Sequence, residues 1–98
     1  MSDVRDVYVG EKEFSDRTRL IPVDNTSVQR TFIERVLMIN PRQYETLWIK
    51  KAFRSALTSP NSIATDADVI AFVARTPGAI GYVRSVPAGA GVTVIDRD

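Results

Sequence analysis

Apolar residues come along the chain in short bursts separated by polar turns, and their spacing changes from burst to burst. Val4, Val7 and Tyr8 stand at helical spacing ahead of Gly10, a natural C-terminal stop, so the pattern predicts a short helix over 3–9. The β-branched and aromatic content of that stretch also suits a strand. Residues 11–18 are polar, with turn chemistry at Ser15-Asp16, and read as a loop. Arg19-Leu20-Ile21-Pro22-Val23 is an extended run in which Pro22, lacking an N–H, belongs at a strand end or edge.

Asp24, Asn25, Thr26 and Ser27 follow, four consecutive residues of the kind that cap helices. Behind them Val28, Phe32, Ile33, Val36 and Leu37 mark the apolar face of a helix over 28–39. Asn40-Pro41 closes that helix and opens the next, with Asn40 as cap and Pro41 at the first helical position. Tyr44, Leu47, Trp48 and Ala52 give the second helix its buried stripe, and residues 55–64 read as a loop. Thr65 caps a third helix, with Asp68 at its acidic third position and Val69, Ile70, Phe72 and Val73 as its apolar content. After a turn at Thr76-Pro77-Gly78, residues 79–83 read as a buried strand in which Gly81 implies close approach by another backbone. Residues 87–91 form a flexible turn, and Val92-Thr93-Val94-Ile95 a last strand before a charged tail. The pattern predicts one α/β domain over 1–98, a short sheet covered by about three to four helices.

Composition narrows the chemistry. The 98 residues leave room for one domain, and 44% apolar content is enough for one modest core. Thirteen Lys and Arg against 12 Asp and Glu leave a net charge of +1, which gives no reason to expect a polyanion partner. Arg42, Lys50, Lys51 and Arg54, offset by Glu45, read as a solvated helix face rather than a nucleic-acid surface, because no aromatic stacking platform accompanies them. The chain has no Cys and no His, which removes disulfides, thiolate metal sites, the commonest general base and the commonest metal ligand. No apolar run approaches a membrane span. The N-terminus shows no secretory-signal pattern and reads like an interior segment.

Catalysis would need Ser or Thr activated by Lys, or a carboxylate pair. The acids are scattered, and Asp66 and Asp68 fall in a helix first turn, where the dipole alone explains them. Neither an enzyme nor a metal or cofactor site is expected. The segment Asp24, Asn25, Thr26 and Ser27 is the candidate binding site, because a strand end runs there into a helix N-terminus. The first amides of a helix lack intrahelical partners and carry partial positive charge, so with nearby hydroxyls they can hold an oxyanion. The same residues also serve as plain helix caps, and spacing alone leaves both readings open.

The stretch from Asp66 to Val83, ending Pro77-Gly78-Ala79-Ile80-Gly81-Tyr82-Val83, resembles the "PGAIGYV" segment of the phosphate-transporter family of periplasmic solute-binding proteins. Val7-Tyr8-Val9-Gly10 resembles the family's "FLG" segment, and Phe32 to Leu37 with Trp48 resemble its helical pair, all in the family's order. The resemblance spans roughly residues 4–95. It implies one lobe of a two-lobed clamp in which a Gly-Ser-Gly-Thr turn holds an oxyanion such as phosphate. Those four positions fall on Asn25, Thr26, Ser27 and Val28, and an Arg of the family falls on Pro22. The resemblance further implies a periplasmic or secreted location, a transporter partner, and a family N-terminal strand ahead of the Val7–Gly10 segment that this sequence is expected to lack. A sheet lacking that strand presents an open edge, which predicts a homodimer or strand exchange between copies. The expected function is a non-enzymatic solute-binding module. The alternative is a structural or protein-interaction domain on the same fold that has lost small-molecule binding.

Overall fold

A computed structural model of the chain describes residues 2–55, 59–87 and 89–94. Helix α1 (Ser2–Tyr8) follows the helical spacing of Val4, Val7 and Tyr8 rather than the strand-like composition around them. It stops at Gly10, whose φ of +79° lies in the left-handed region open to glycine. A Cβ there would lie 2.7 Å from Lys51 Cδ and 3.2 Å from the Trp48 ring, so a larger residue would displace the flexible Lys51 chain, while the left-handed backbone is what favours glycine.

Residues 11–18 depart from the expected loop. They hold β1 (Phe14–Ser15), which pairs antiparallel with β2 (Thr18–Arg19), Phe14 opposite Arg19 and Ser15 opposite Thr18. Asp16 turns the chain at φ +54°, a conformation that its short polar side chain tolerates. All four strand residues are exposed, so no buried alternation marks the hairpin in the sequence.

The main sheet has three parallel strands in the order β4-β3-β5. Strand β3 (Ile21–Asn25) is central and ends in three buried residues, Val23, Asp24 and Asn25. Strand β4 (Asn61–Ile63) pairs Asn61 with Val23, and β5 (Ala79–Ile80) pairs Ala79 with Ile21. Pro22, expected at a strand end or edge, therefore lies in the central strand. Ile21 donates to Gly78 O at 2.9 Å on the β5 side, so the donor that Pro22 lacks belongs to the opposite side. There β4 pairs only from Val23 onward, and the ladder loses no bond.

Between β3 and β4 run two helical segments. Helix α2 (Gln29–Phe32) passes directly into a π-helical turn (Ile33–Leu37), which ends at Met38 with φ +61°. Helix α3 (Pro41–Ser55) begins as read from the sequence. The Asn40 side chain accepts from Gln43 N–H at 2.8 Å, and Gln43 Oε1 accepts from Asn40 N–H at 2.9 Å, a reciprocal capping box. Helix α4 (Asp66–Arg75) carries the expected Thr65 cap, whose hydroxyl accepts from Asp68 N–H at 3.2 Å.

Tyr8, Phe32, Ile33, Leu37, Tyr44 and Trp48 form the core against the sheet. Phe32 and Tyr82 stack at 3.8 Å between centroids, and Tyr8 meets them edge-on at 4.9 and 5.5 Å. Ala52, expected in the buried stripe of α3, is exposed. Gly81 is closely approached, but by side chains rather than by another backbone. A Cβ there would lie 2.5 Å from Val69 Cγ1 and 3.3 Å from Val23 Cγ2. The strand expected over 79–83 is paired only at Ala79–Ile80, and Val92-Thr93-Val94 joins no ladder among the described residues. Ile95 and the charged tail lie outside them. The architecture is mixed α/β, and no helix among the described residues is long and apolar enough to cross a membrane.

Candidate functional site

The chain places Asp24, Asn25, Thr26 and Ser27 at the carboxyl end of the central strand, but they face different ways. Asp24 and Asn25 are buried, at 2% and 0% exposure, while Thr26 and Ser27 are exposed. Alternation along β3 turns consecutive side chains to opposite faces, so the two buried polar groups serve separate networks.

Asp24 accepts from Tyr44 OH at 2.9 Å and from Tyr82 OH at 2.7 Å. Burial pushes its carboxyl above the usual carboxylate value, and the hydrogen bonds from Tyr82, Tyr44 and Gln29 offset that only in part. Burial first and the Asp24 charge second push the Tyr44 and Tyr82 phenols well above the ordinary tyrosine range. Tyr8, beside them, is raised for the same reasons, and its hydroxyl meets Val23 O at 2.8 Å and Ile80 O at 3.0 Å. This network ties β3, α3 and the segment after β5 together.

Asn25 organises the exposed side. Its Oδ1 accepts from Ser27 N–H at 3.1 Å and from the Ser27 hydroxyl at 2.5 Å, closing an Asx turn. Its Nδ2 donates to Asp66 Oδ1 at 2.7 Å and to Tyr82 O at 3.0 Å. None of these side chains caps α2. Val28 is its N-cap, without a side-chain hydrogen bond, because the Asn25 and Ser27 polar groups are spent on each other.

Two residues outside the expected segment complete the arrangement. Arg84 donates from Nη2 to Ser27 O at 3.0 Å and from Nη1 to Ser27 Oγ at 3.4 Å. Its backbone N–H donates to Asp66 Oδ2 at 3.0 Å, and its Nη1 lies 3.9 Å from Asp66 Oδ1. The guanidinium stays 60% exposed and keeps further donors for a ligand. At Asp66, desolvation is the largest single influence and acts upward. The donors from Asn25 and the Arg84 backbone, the Arg84 charge and Ser27 together outweigh it and hold the carboxyl below its usual value. Asp66 thus stands as an internal anion against the cation and hydroxyls of the site.

Two grooves flank the sheet. One, of about 610 Å³, runs past Val28, Phe32, Val69, Ile80 and Tyr82 to Arg84. The other, of about 480 Å³, lies over Asp24, Tyr44 and Trp48 on the α3 side. Among the described residues no group of three or more His, Cys, Asp or Glu is placed to hold a metal ion.

No family model matches the chain, and no curated protein and no solved structure matches it. What the site can do follows from its own atoms. Thr26 and Ser27 were singled out by their hydroxyls next to a strand end. Asp66 was visible only as a helix first-turn acid, and Arg84, 57 residues beyond Ser27, carried no sequence signal of its partner.

Proposed function

We propose that the protein is a non-enzymatic binding module that holds a small oxyanion, phosphate or a similar group, at the carboxyl end of its parallel sheet. The observation that carries the reading is the meeting of the Arg84 guanidinium with Ser27, next to the exposed Thr26. It lies where the topology turns: β3 leads to β4 on one side, and the chain returns past β3 to form β5 on the other. Open parallel sheets bind ligands outside such strand ends. A guanidinium presents paired donors that match an oxyanion, so Arg84 supplies the cation that Pro22 cannot. Asn25 shapes the turn, Asp24 anchors the strand end, and Thr26, Ser27 and Arg84 face the ligand.

The resemblance of residues 66–83 to phosphate-transporter binding proteins supports the same reading. A periplasmic or secreted location, a transporter partner and pairing of two copies across a sheet edge are further proposals from that resemblance. Chemistry beyond binding has little to draw on, since the chain has no His or Cys and Asp24 is committed to two tyrosines.

Asp66 sets the affinity. It occupies an Asn25 donor, lies beside the Arg84 cation and repels an incoming anion, so Asp66→Asn should tighten phosphate binding by on the order of tenfold. Arg84→Ala should weaken it by at least that factor, and Thr26→Ala by less. Calorimetric titration of the three variants with phosphate tests this, and equal affinities in all of them would sink it. The fullness of the Asp66 network favours a second reading, a protein-interaction domain without a solute. Loss of phosphate binding in every variant, with capture of a fold-dependent partner, would favour that reading.

A further inference from the structure

The 610 Å³ groove that ends at Arg84 is lined mainly by apolar side chains, among them Val28, Phe32, Val69, Ile70, Ile80 and Val86, with Thr31, Ser85 and Thr93 as polar members. Among the described residues of its wall Arg84 is the one charged side chain; Asp66, 3.9 Å from Arg84 Nη1, is not part of that wall. Its volume falls in the range of pockets that enclose small organic ligands, lined by apolar groups with a few polar ones fixing orientation. Phosphate alone would use the Arg84 end and leave the rest of the groove to water.

We infer that the ligand is an amphiphilic anion, a carboxylate or similar oxyanion carried on an apolar body. The head pairs with Arg84 beside Ser27, and the body lies along the groove between Val28 and Val69. Charge complementarity sets the sign of the head, and the apolar wall sets the character of the body. A second copy of this chain is the weaker occupant, because it would cover Arg84 without bringing it an anion that the groove itself specifies. The inference rests on the reading of Arg84 as the anion-binding group.

A chain-length series separates the two. Butyrate, hexanoate and octanoate, with phosphate and uncharged octanol as comparisons, are titrated into the protein by calorimetry and amide-resolved NMR. Affinity should rise about fourfold for each added methylene that enters the groove. Octanoate should shift the amides of Val69, Ile70 and Gly81 as well as those of Ser27 and Arg84. Arg84→Ala should cost octanoate at least tenfold, and Val86→Trp, which fills the groove, should abolish the chain-length dependence while leaving phosphate binding in place. Phosphate binding at Ser27 and Arg84 with no gain from chain length overturns the amphiphile and leaves the anion site standing. Octanol binding as tightly as octanoate overturns the pairing with Arg84. A concentration-dependent dimer that excludes octanoate assigns the groove to a second copy and overturns the inference. Failure of both phosphate and octanoate removes the site and the inference together.

Discussion

Asp24 shows how much one buried carboxylate can determine. Two tyrosine hydroxyls, from α3 and from the segment after β5, converge on its two oxygens at 2.9 and 2.7 Å. Hydrogen bonds to a charged acceptor contribute more than neutral ones, so Tyr44→Phe and Tyr82→Phe should each cost about 2 kcal/mol of stability. Because the tyrosines share one acceptor, the double variant should depart from the sum of the singles, as denaturant midpoints of the four proteins would reveal. The same burial gives the alkaline limit a definite sign. Tyr8, Tyr44 and Tyr82 all hold their protons more tightly folded than at the ordinary tyrosine value of 10.0. Their contribution is complete below that value and is lost as pH rises above it, since the unfolded chain then releases protons that the folded one retains. Unfolding midpoints should therefore fall steeply above about pH 10, and more shallowly in Tyr44→Phe, which loses one of the three protons. A pH-independent midpoint across that range would contradict the burial described for the three phenols.

Among the elements, the ones written in local chemistry were legible and the ones made by distant pairing were not. Asn40-Pro41 and Thr65 announce the starts of α3 and α4 because each cap is satisfied within three residues, at Gln43 and at Asp68. Strands β1, β2 and β4 span two or three residues with mostly exposed side chains, so no alternation records them. Strand β4 exists because Val23 to Asn25 offer it a parallel edge, a partner nearly forty positions away along the chain. The candidate site divides in the same way. Its Thr26 and Ser27 could be read from a hydroxyl-bearing strand end, whereas Asp66 and Arg84 reach it only through folding. The end of the π-helical turn carries its own prediction. Met38 holds φ +61° with its side chain 79% exposed, a left-handed conformation that costs a non-glycine residue about 1 kcal/mol or more. Met38→Gly should raise stability by about 0.5–1 kcal/mol, read as a higher denaturant midpoint at unchanged slope. A loss of stability would mean that the exposed side chain contributes packing that outweighs the backbone strain.

For the protein as a unit, three parallel strands and their helices bring one cation, two hydroxyls and an internal carboxylate to a single sheet end, beside an apolar groove. The basic residues of α3 stand apart from this: Lys51 pairs with Glu11 at 3.6 Å, and Arg42, Lys50 and Arg54 are exposed. Two sets of positive charge are therefore separable in solution, one preorganised by hydrogen bonds at the sheet end and one spread along a solvated helix. An amide-resolved NMR titration with phosphate, with chloride at matched ionic strength as control, distinguishes them. Saturable shifts confined to Asn25 through Arg30 and to Arg84, abolished by Arg84→Ala, are the expected result. Shifts that are absent, or that spread evenly over α3 and follow chloride, would contradict a binding site at the carboxyl end of the sheet.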